Sequence, residues 1–426
     1  MTQSPIHQFP RHFLWGASTA SHQVEGGNTW NDWWEYEQSG KVPYASGVAC
    51  RHYELFESDF DLARSWGHNA HRFSIEWSRL QPSEDRWSDE AVAHYRQVIR
   101  ALRKRGLEPI VTLHHFTNPA WFTRRGGWLC GDSPKLFARY VERAVRELGE
   151  PVRFWLTINE PTVYVMQGFS TGEWPPCMKS SWICAWRALR RLARAHVEAY
   201  DVLHGMHRDV MVGFAHSAPV IQPCNPNSRI DRLVAATRDF ILNELFFRLI
   251  GSWSSRGRRI CPALDYIGIN YYTRNIVRRS GLGVGALVGR VCPIDHHDRG
   301  PLSTLGWEVY PQGLVSTLQR FSRYGLPLLV TENGIATEDE ALRREFLLQH
   351  VAAAARAIES GVNLLGYLYW SLIDNFEWAA GTAAKFGLAA VDYQTQERRA
   401  RPCVDDFIRI CRETAQDSLS ADKPRP

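Results

Sequence analysis

Two short segments of this 426-residue chain carry side chains able to do chemistry as a pair: Thr157-Ile158-Asn159-Glu160-Pro161 and Leu329-Val330-Thr331-Glu332-Asn333-Gly334. In each, an apolar strand-like run (Phe154 to Ile158, Leu326 to Val330) ends in a glutamate, and Pro161 or Gly334 breaks the chain directly afterwards. This is the pattern of a buried parallel strand surfacing at the rim of a site. Two carboxylates so presented are the minimum equipment for cleaving a glycosidic bond. One donates a proton to the leaving oxygen, the other attacks or supports the anomeric carbon, and neither task needs a metal or a cofactor. A glutamate taken singly from the 45 acidic residues more often caps a helix or pairs with an arginine. The reading therefore depends on what surrounds the pair.

Positioning the two segments requires a scaffold of several strands. Short apolar, β-branched or aromatic runs recur at Phe13 to Ala17, Ala70 to Ile75, Pro109 to His114, Phe154 to Asn159, Val210 to Ala215, Tyr266 to Asn270, Leu328 to Thr331 and Leu365 to Trp370. Between them lie helix-periodic stretches, among them Leu55 to Trp66, Asp89 to Arg105, Pro134 to Leu148, Ile183 to His204, Arg232 to Leu249 and Glu340 to Ser360. Eight strand–helix units predict an α/β fold, a closed (β/α)8 TIM barrel in a single domain over residues 1–426, with its core at about 10–411. No Pro/Ser-rich linker or break in composition supports the competing arrangement, a doubly wound sheet with a second domain. Gly281 to Gly289 misses the spacing of both dinucleotide- and phosphate-binding loops and reads as a long barrel-top loop. The polar tail, 412–426, is expected to fray.

Composition narrows the class. Hydrophobic residues make up 44% and charged residues 22%, and no apolar run approaches membrane-helix length, so a soluble protein with no membrane partner is expected. Met1 to Pro10 lacks the basic flank and apolar core of a secretory signal, and the expected address is cytoplasmic. Nine scattered cysteines without a Cys-x-x-Cys pair fit a reduced compartment better than a disulfide scaffold. The net charge is +5, and its densest stretch, Arg187 to Arg194, reads as a solvated helix face, not a nucleic-acid patch. The 17 Trp, 15 Tyr and 19 Phe are the unusual feature, many of them beside charged or amide residues where sugar faces could stack.

The strand ends carry further polar residues, and with them the chain resembles glycoside hydrolase family 1, the retaining β-glycosidases, from His12 to Arg409. The resemblance lies in Phe13-Leu14-Trp15-Gly16-Ala17-Ser18, Gln23-Val24-Glu25-Gly26, Arg72-Phe73-Ser74-Ile75, His114-His115-Phe116, the two glutamate segments, Asn270-Tyr271-Tyr272 and Trp370-Ser371-Leu372-Ile373-Asp374-Asn375-Phe376-Glu377-Trp378. It implies Glu160 as acid/base and Glu332 as nucleophile, with carboxyl groups about 5–5.5 Å apart and a covalent glycosyl-enzyme. Arg72 and Tyr272 would support Glu332, and Asn159 would contact the sugar 2-hydroxyl. Gln23, His115, Trp370, Glu377 and Trp378 would complete the sugar site, with Trp307 on the aglycone side. The substrates implied are small β-glycosides ending in β-D-glucosyl, and also β-D-galactosyl or β-D-fucosyl, residues. No cofactor and no metal are implied. Departures from the family pattern are Phe116 in place of its usual Trp, Thr117-Asn118, Trp174-Pro175-Pro176-Cys177 and the small-residue loop Gly381 to Gly387.

Other chemistries find less support. His114-His115, His204-x-x-His207 and Asp295-His296-His297-Asp298 lack the H-E-x-x-H spacing of a zinc hydrolase. A transglycosylase or a non-hydrolytic sugar-binding protein on the same barrel is the alternative, although a binding-only relative typically lacks one of the two glutamates.

Overall fold

The computed structural model describes residues 9–253, 263–281, 284–293, 297 and 299–420. Eight strands close into a barrel: β1 (Leu14–Ser18), β2 (Ala70–Ser74), β3 (Glu108–Thr112), β4 (Phe154–Asn159), β5 (Met211–Ser217), β6 (Ile267–Asn270), β7 (Leu328–Asn333) and β8 (Leu364–Trp370). Every strand pairs in parallel with its sequence neighbours, and β1 pairs with β8 to close the ring. Both faces of each strand are covered, which is why the runs are continuously apolar and do not alternate; β4 and β7 are buried at every position. Ala70, Ile110, Leu156, Ala215, Leu329 and Leu368, one from each of six strands, pack on one another in a cluster of their own inside the ring, while the helices pack against the strands from outside.

The expected helices are present with shifted ends, as His52–Ser65, Asp89–Lys104, Ser133–Leu148, Trp182–Met206 and Glu340–Glu359. The stretch expected as one helix over Arg232 to Leu249 is two, Arg229–Asn243 and Leu245–Trp253. The break falls at Glu244, whose carboxylate is held by Arg320 and Arg323 and by the Tyr324 hydroxyl at 3.1 Å, so partners distant in sequence decide the bend. The tail does not fray at Cys411. Helix Cys403–Ser420 continues through it, with Val404, Phe407 and Cys411 buried along one face. Phe407 meets Trp15 at 5.9 Å and His68 at 5.1 Å between ring centroids, so the last helix packs on the start of the barrel.

One loop expectation and the reading of the cysteines need correction. The Gly281 to Gly289 stretch contains a short helix, Val284–Val288. A disulfide joins Cys224 to Cys292 across 68 residues, because strands Val220–Pro223, Arg274–Arg278 and Arg290–Val291 form a small sheet that brings their ends together. That pairing has no spacing signature. The His297 imidazole lies 3.3 Å from the Cys224 sulfur, while Asp295, His296 and Asp298 of the same motif, and also Cys261, lie outside the described residues. Among the described residues no helix is long and apolar enough to cross a membrane.

Candidate active site

The two glutamates meet at the C-terminal end of the barrel, where β6 and β7 pair Asn270 with Glu332 and the backbone N–H of Glu160 donates to the Ala215 carbonyl of β5. Gly334 lets β7 turn here. A Cβ on it would sit 1.8 Å from the Trp370 carbonyl oxygen, so only glycine allows the two strand ends to approach this closely. Glu160 (φ 43°), Phe116 (φ 70°) and Trp378 (φ 50°) all adopt left-handed backbone conformations that non-glycine residues avoid, and all three line one cavity of about 460 Å³.

Glu332 is fixed by donors on both oxygens. Arg72 Nη1 lies 2.5 Å from Oε1, and the Tyr272 hydroxyl donates to Oε2 at 2.7 Å. Arg72 is itself buried and immobilised. Its Nε donates to Thr112 Oγ1 at 3.0 Å, its Nη2 to Asn159 Oδ1 at 2.7 Å, and its Nη1 also to the Thr331 carbonyl at 3.3 Å. A buried carboxylate in a charge-assisted pair with so constrained a guanidinium is a fixed negative charge.

Glu160 sits in the opposite environment. Among the described residues no cation pairs with it, and the Asn270 amide donates to its Oε1 at 2.8 Å. Burial first, and then the charge of Glu332, push its pKa up to about 8 against the smaller opposing effects of Asn270 and Arg72. At neutral pH it therefore holds a proton. One carboxyl is thus an acceptor and the other a donor, the division of labour that glycoside cleavage requires.

The rest of the sugar site follows from the strand ends of β1, β3 and β8. Gln23 Nε2 donates to Glu377 Oε2 at 2.9 Å and to Asn375 Oδ1 at 3.1 Å, while its own buried amide oxygen has no partner among the described residues. Burial, followed by the charge of Glu332, raises the Glu377 pKa to about 8 as well. His115 is neutral, because burial and then the charge of Arg72 push its pKa well down. Its Nε2 lies 3.3 Å from Asn159 Nδ2; if that amide donates, the ring proton sits on Nδ1, which has no partner among the described residues. The His115 ring stacks nearly parallel to Trp370 (6.0 Å, 13°) and to Trp378 (6.2 Å, 12°), forming an aromatic wall.

A family model described as glycosyl hydrolase family 1 matches residues 6–258 and 254–413. The chain belongs to glycosyl hydrolase family 1. It is a glycoside hydrolase acting on O-glycosyl bonds, and its barrel is that of its relatives. It is 29% identical to beta-glucosidase A of Thermotoga maritima over 92% of this chain and 95% of that one. It is 30% identical to a beta-galactosidase of Pyrococcus woesei, over 92% and 94% respectively. Among solved structures, a beta-glycosidase from Pyrococcus horikoshii superposes with a TM-score of 0.89 at 42% identity, covering 99% of both chains. The beta-glucosidase from Thermotoga maritima in complex with glucoimidazole superposes with a TM-score of 0.87 at 28% identity, covering 96% of this chain and 99% of that one.

For this family 1 enzyme the cavity brings together Gln23, His115, Asn159, Glu160, Tyr272, Trp307, Glu332, Trp370, Glu377 and Trp378, and Arg72 lies beneath it as the partner of Glu332. The sequence reading assigned no role to Asn270, although it stands in a recognised strand-end motif; it bonds both Glu160 and, at 3.1 Å, Asn159. It also missed the part played by two of the departures. Phe116 packs on Trp174 at 4.9 Å and Trp174 on Trp378 at 5.7 Å, so both rings thicken the aromatic wall of the cavity.

Proposed function

We propose that the protein is a retaining β-glycosidase that releases terminal β-D-glucosyl residues, and β-D-galactosyl and β-D-fucosyl residues by the same site. Glu332 is the nucleophile and Glu160 the acid/base. The observation that carries this reading is the unequal treatment of two neighbouring carboxyls: Arg72 and Tyr272 hold Glu332, while burial keeps a proton on Glu160. In the first step Glu332 attacks the anomeric carbon and Glu160 gives its proton to the departing oxygen. In the second, Glu160 takes a proton from water, and that water displaces Glu332 with a second inversion. The anomeric configuration is retained overall.

Asn159 reads the 2-hydroxyl and Gln23 with Glu377 the far side of the ring, where the amide and carboxyl can bridge neighbouring hydroxyls. The relatives named beta-glucosidase and beta-galactosidase support a site tolerant at the 4-position. A panel of aryl β-D-glucoside, galactoside, fucoside and 6-phosphoglucoside tests the reading. The first three are expected to turn over and the phosphorylated sugar to be refused, because Glu377 would meet its phosphate. Inert glucosides would overturn it. We propose a cytoplasmic address on the scattered cysteines, which a thiol count of freshly isolated protein examines: an intact Cys224–Cys292 bond in all molecules would argue for an oxidising compartment.

A further inference from the structure

The sugar-reading residues come from the ends of β1, β3, β4 and β8, but the cavity has another wall. In an eight-strand ring β5 lies across from β1, and on that side the cavity is lined by Ser217, Pro219 and Asn275 together with Arg238 and Leu242 of helix Arg229–Asn243. Arg238 is mostly buried, its Nε has no partner among the described residues, and its Nη1 reaches only the Val288 and Gly289 carbonyls, each at 3.4 Å. Among the described residues no carboxylate pairs with it. Burial alone acts on its pKa, pushing it down without an opposing charge.

Its neighbours show that this is not the habit of the region. Arg274 is held by both oxygens of Glu308 at 2.7 and 2.8 Å. Arg320 takes both oxygens of Asp239, the residue next to Arg238, at 2.6 and 2.7 Å. An unpaired, desolvated guanidinium is costly, and the fold leaves this one facing a substrate cavity. Ser217 and Asn275 line the same wall and carry two further hydrogen-bond donors. Leu242 and Pro219 supply apolar surface beside them.

We infer that Arg238 anchors an anion-accepting aglycone subsite, and that the preferred β-glycosides carry a carboxylate, sulfate or phosphate on the aglycone. A planar guanidinium binds such groups through two parallel hydrogen bonds, and in a partly dehydrated cavity that recognition is strong. This rests on the β-glycosidase reading for where the aglycone lies, with the sugar held by Gln23 and Glu377 and the leaving oxygen at Glu160. The contrary reading makes Arg238 a strut for helix Val284–Val288, which would affect all substrates alike.

The test compares 4-(carboxymethyl)phenyl and 4-(carbamoylmethyl)phenyl β-D-glucosides, which differ in charge remote from the scissile bond. Wild type is expected to favour the carboxylate by about 10–100-fold in kcat/KM, mainly through KM, with the preference shrinking as salt is raised. Arg238→Met should abolish the preference and Arg238→Lys retain part of it; a general loss cancels in the ratio. Wild type without a preference, or Arg238→Met with the wild-type ratio, would overturn the inference. Turnover of neither glucoside would instead defeat the glycosidase reading, and the subsite is then tested by Tm: 4-hydroxyphenylacetate should raise it in wild type but not in Arg238→Met, and 4-hydroxyphenylacetamide in neither. Equal shifts with both compounds, or none with either, would sink it.

Discussion

Strands β4 and β7 each deliver a buried glutamate to the same cavity, yet the barrel builds unlike surroundings at the two ends. At β7 a guanidinium and a phenol meet the carboxylate, and the guanidinium is pinned by three further acceptors. At β4 the carboxyl has one neutral amide and a backbone turned left-handed. The residue type is the same, so the difference in chemistry lies in what neighbouring strands contribute. Arg72 comes from β2, Tyr272 follows β6, and Asn270 ends β6. A closed ring brings such contributions from several strands to one rim, which an isolated hairpin or helix pair could not do.

Removing each end separately gives the sharpest contrast. Glu332→Ala should lower kcat/KM by roughly 10⁴-fold or more on every substrate, since loss of a nucleophile cannot be offset by a better leaving group. Azide should restore turnover and give a product of inverted configuration; retained configuration would reverse the assignment. Glu160→Ala should be selective. A loss of about 10²–10⁴-fold is expected for an alkyl β-glucoside and much less for a dinitrophenyl β-glucoside, whose leaving group needs no proton. Equal losses would make Glu160 structural. In wild type, kcat/KM on the alkyl glucoside should fall as pH rises through about 8, where Glu160 gives up its proton.

A third carboxyl tests whether the sugar is read as inferred. Glu377→Ala should weaken glucoside and galactoside hydrolysis by about 1–3 kcal/mol, the cost of leaving sugar hydroxyls unpaired in a buried site, and 6-deoxy β-D-fucoside by less. Equal proportional losses would mean that Glu377 does not contact the 6-hydroxyl. The smallest effect is on stability. Glu160 and Glu377 have folded pKa values raised to about 8 from 4.5, so each contributes stability that is fully present below about pH 4.5 and lost as pH rises toward 8. Glu377→Gln, which cannot ionise, should therefore raise Tm by roughly 1–3 °C at pH 9 and change it little at pH 5. Calorimetry showing the same shift at both pH values would contradict the burial argument.

The barrel and the catalytic pair were legible in the sequence because their signals are local. An apolar run that stops at Glu160-Pro161 or Glu332-Asn333-Gly334 reports burial, direction and exit together. What was illegible depends on distant partners. Nothing near Glu244 announces that Arg320 and Arg323 will bend the chain there, and nothing in the spacing of Cys224 and Cys292 announces their bond. Asn270 could be placed but not given a task, since its partner Glu160 is 110 residues away. Arg238 lies in an ordinary amphipathic helix, and only the absence of a counter-ion among the described residues sets it apart, a property that no run of residues displays.

The packing of Phe407 on Trp15 bears on how the protein is made. β1 finds β8, and the last helix finds β1, only when nearly the whole chain exists, so the closing contacts span almost its full length. The Gln23–Glu377 hydrogen bond, between residues 354 apart, straddles the same seam. Folding should thus be slow and late to commit, with apolar strand edges open until the end. Recovery of activity during refolding then reports completion of the ring, and the appearance of helix should precede it.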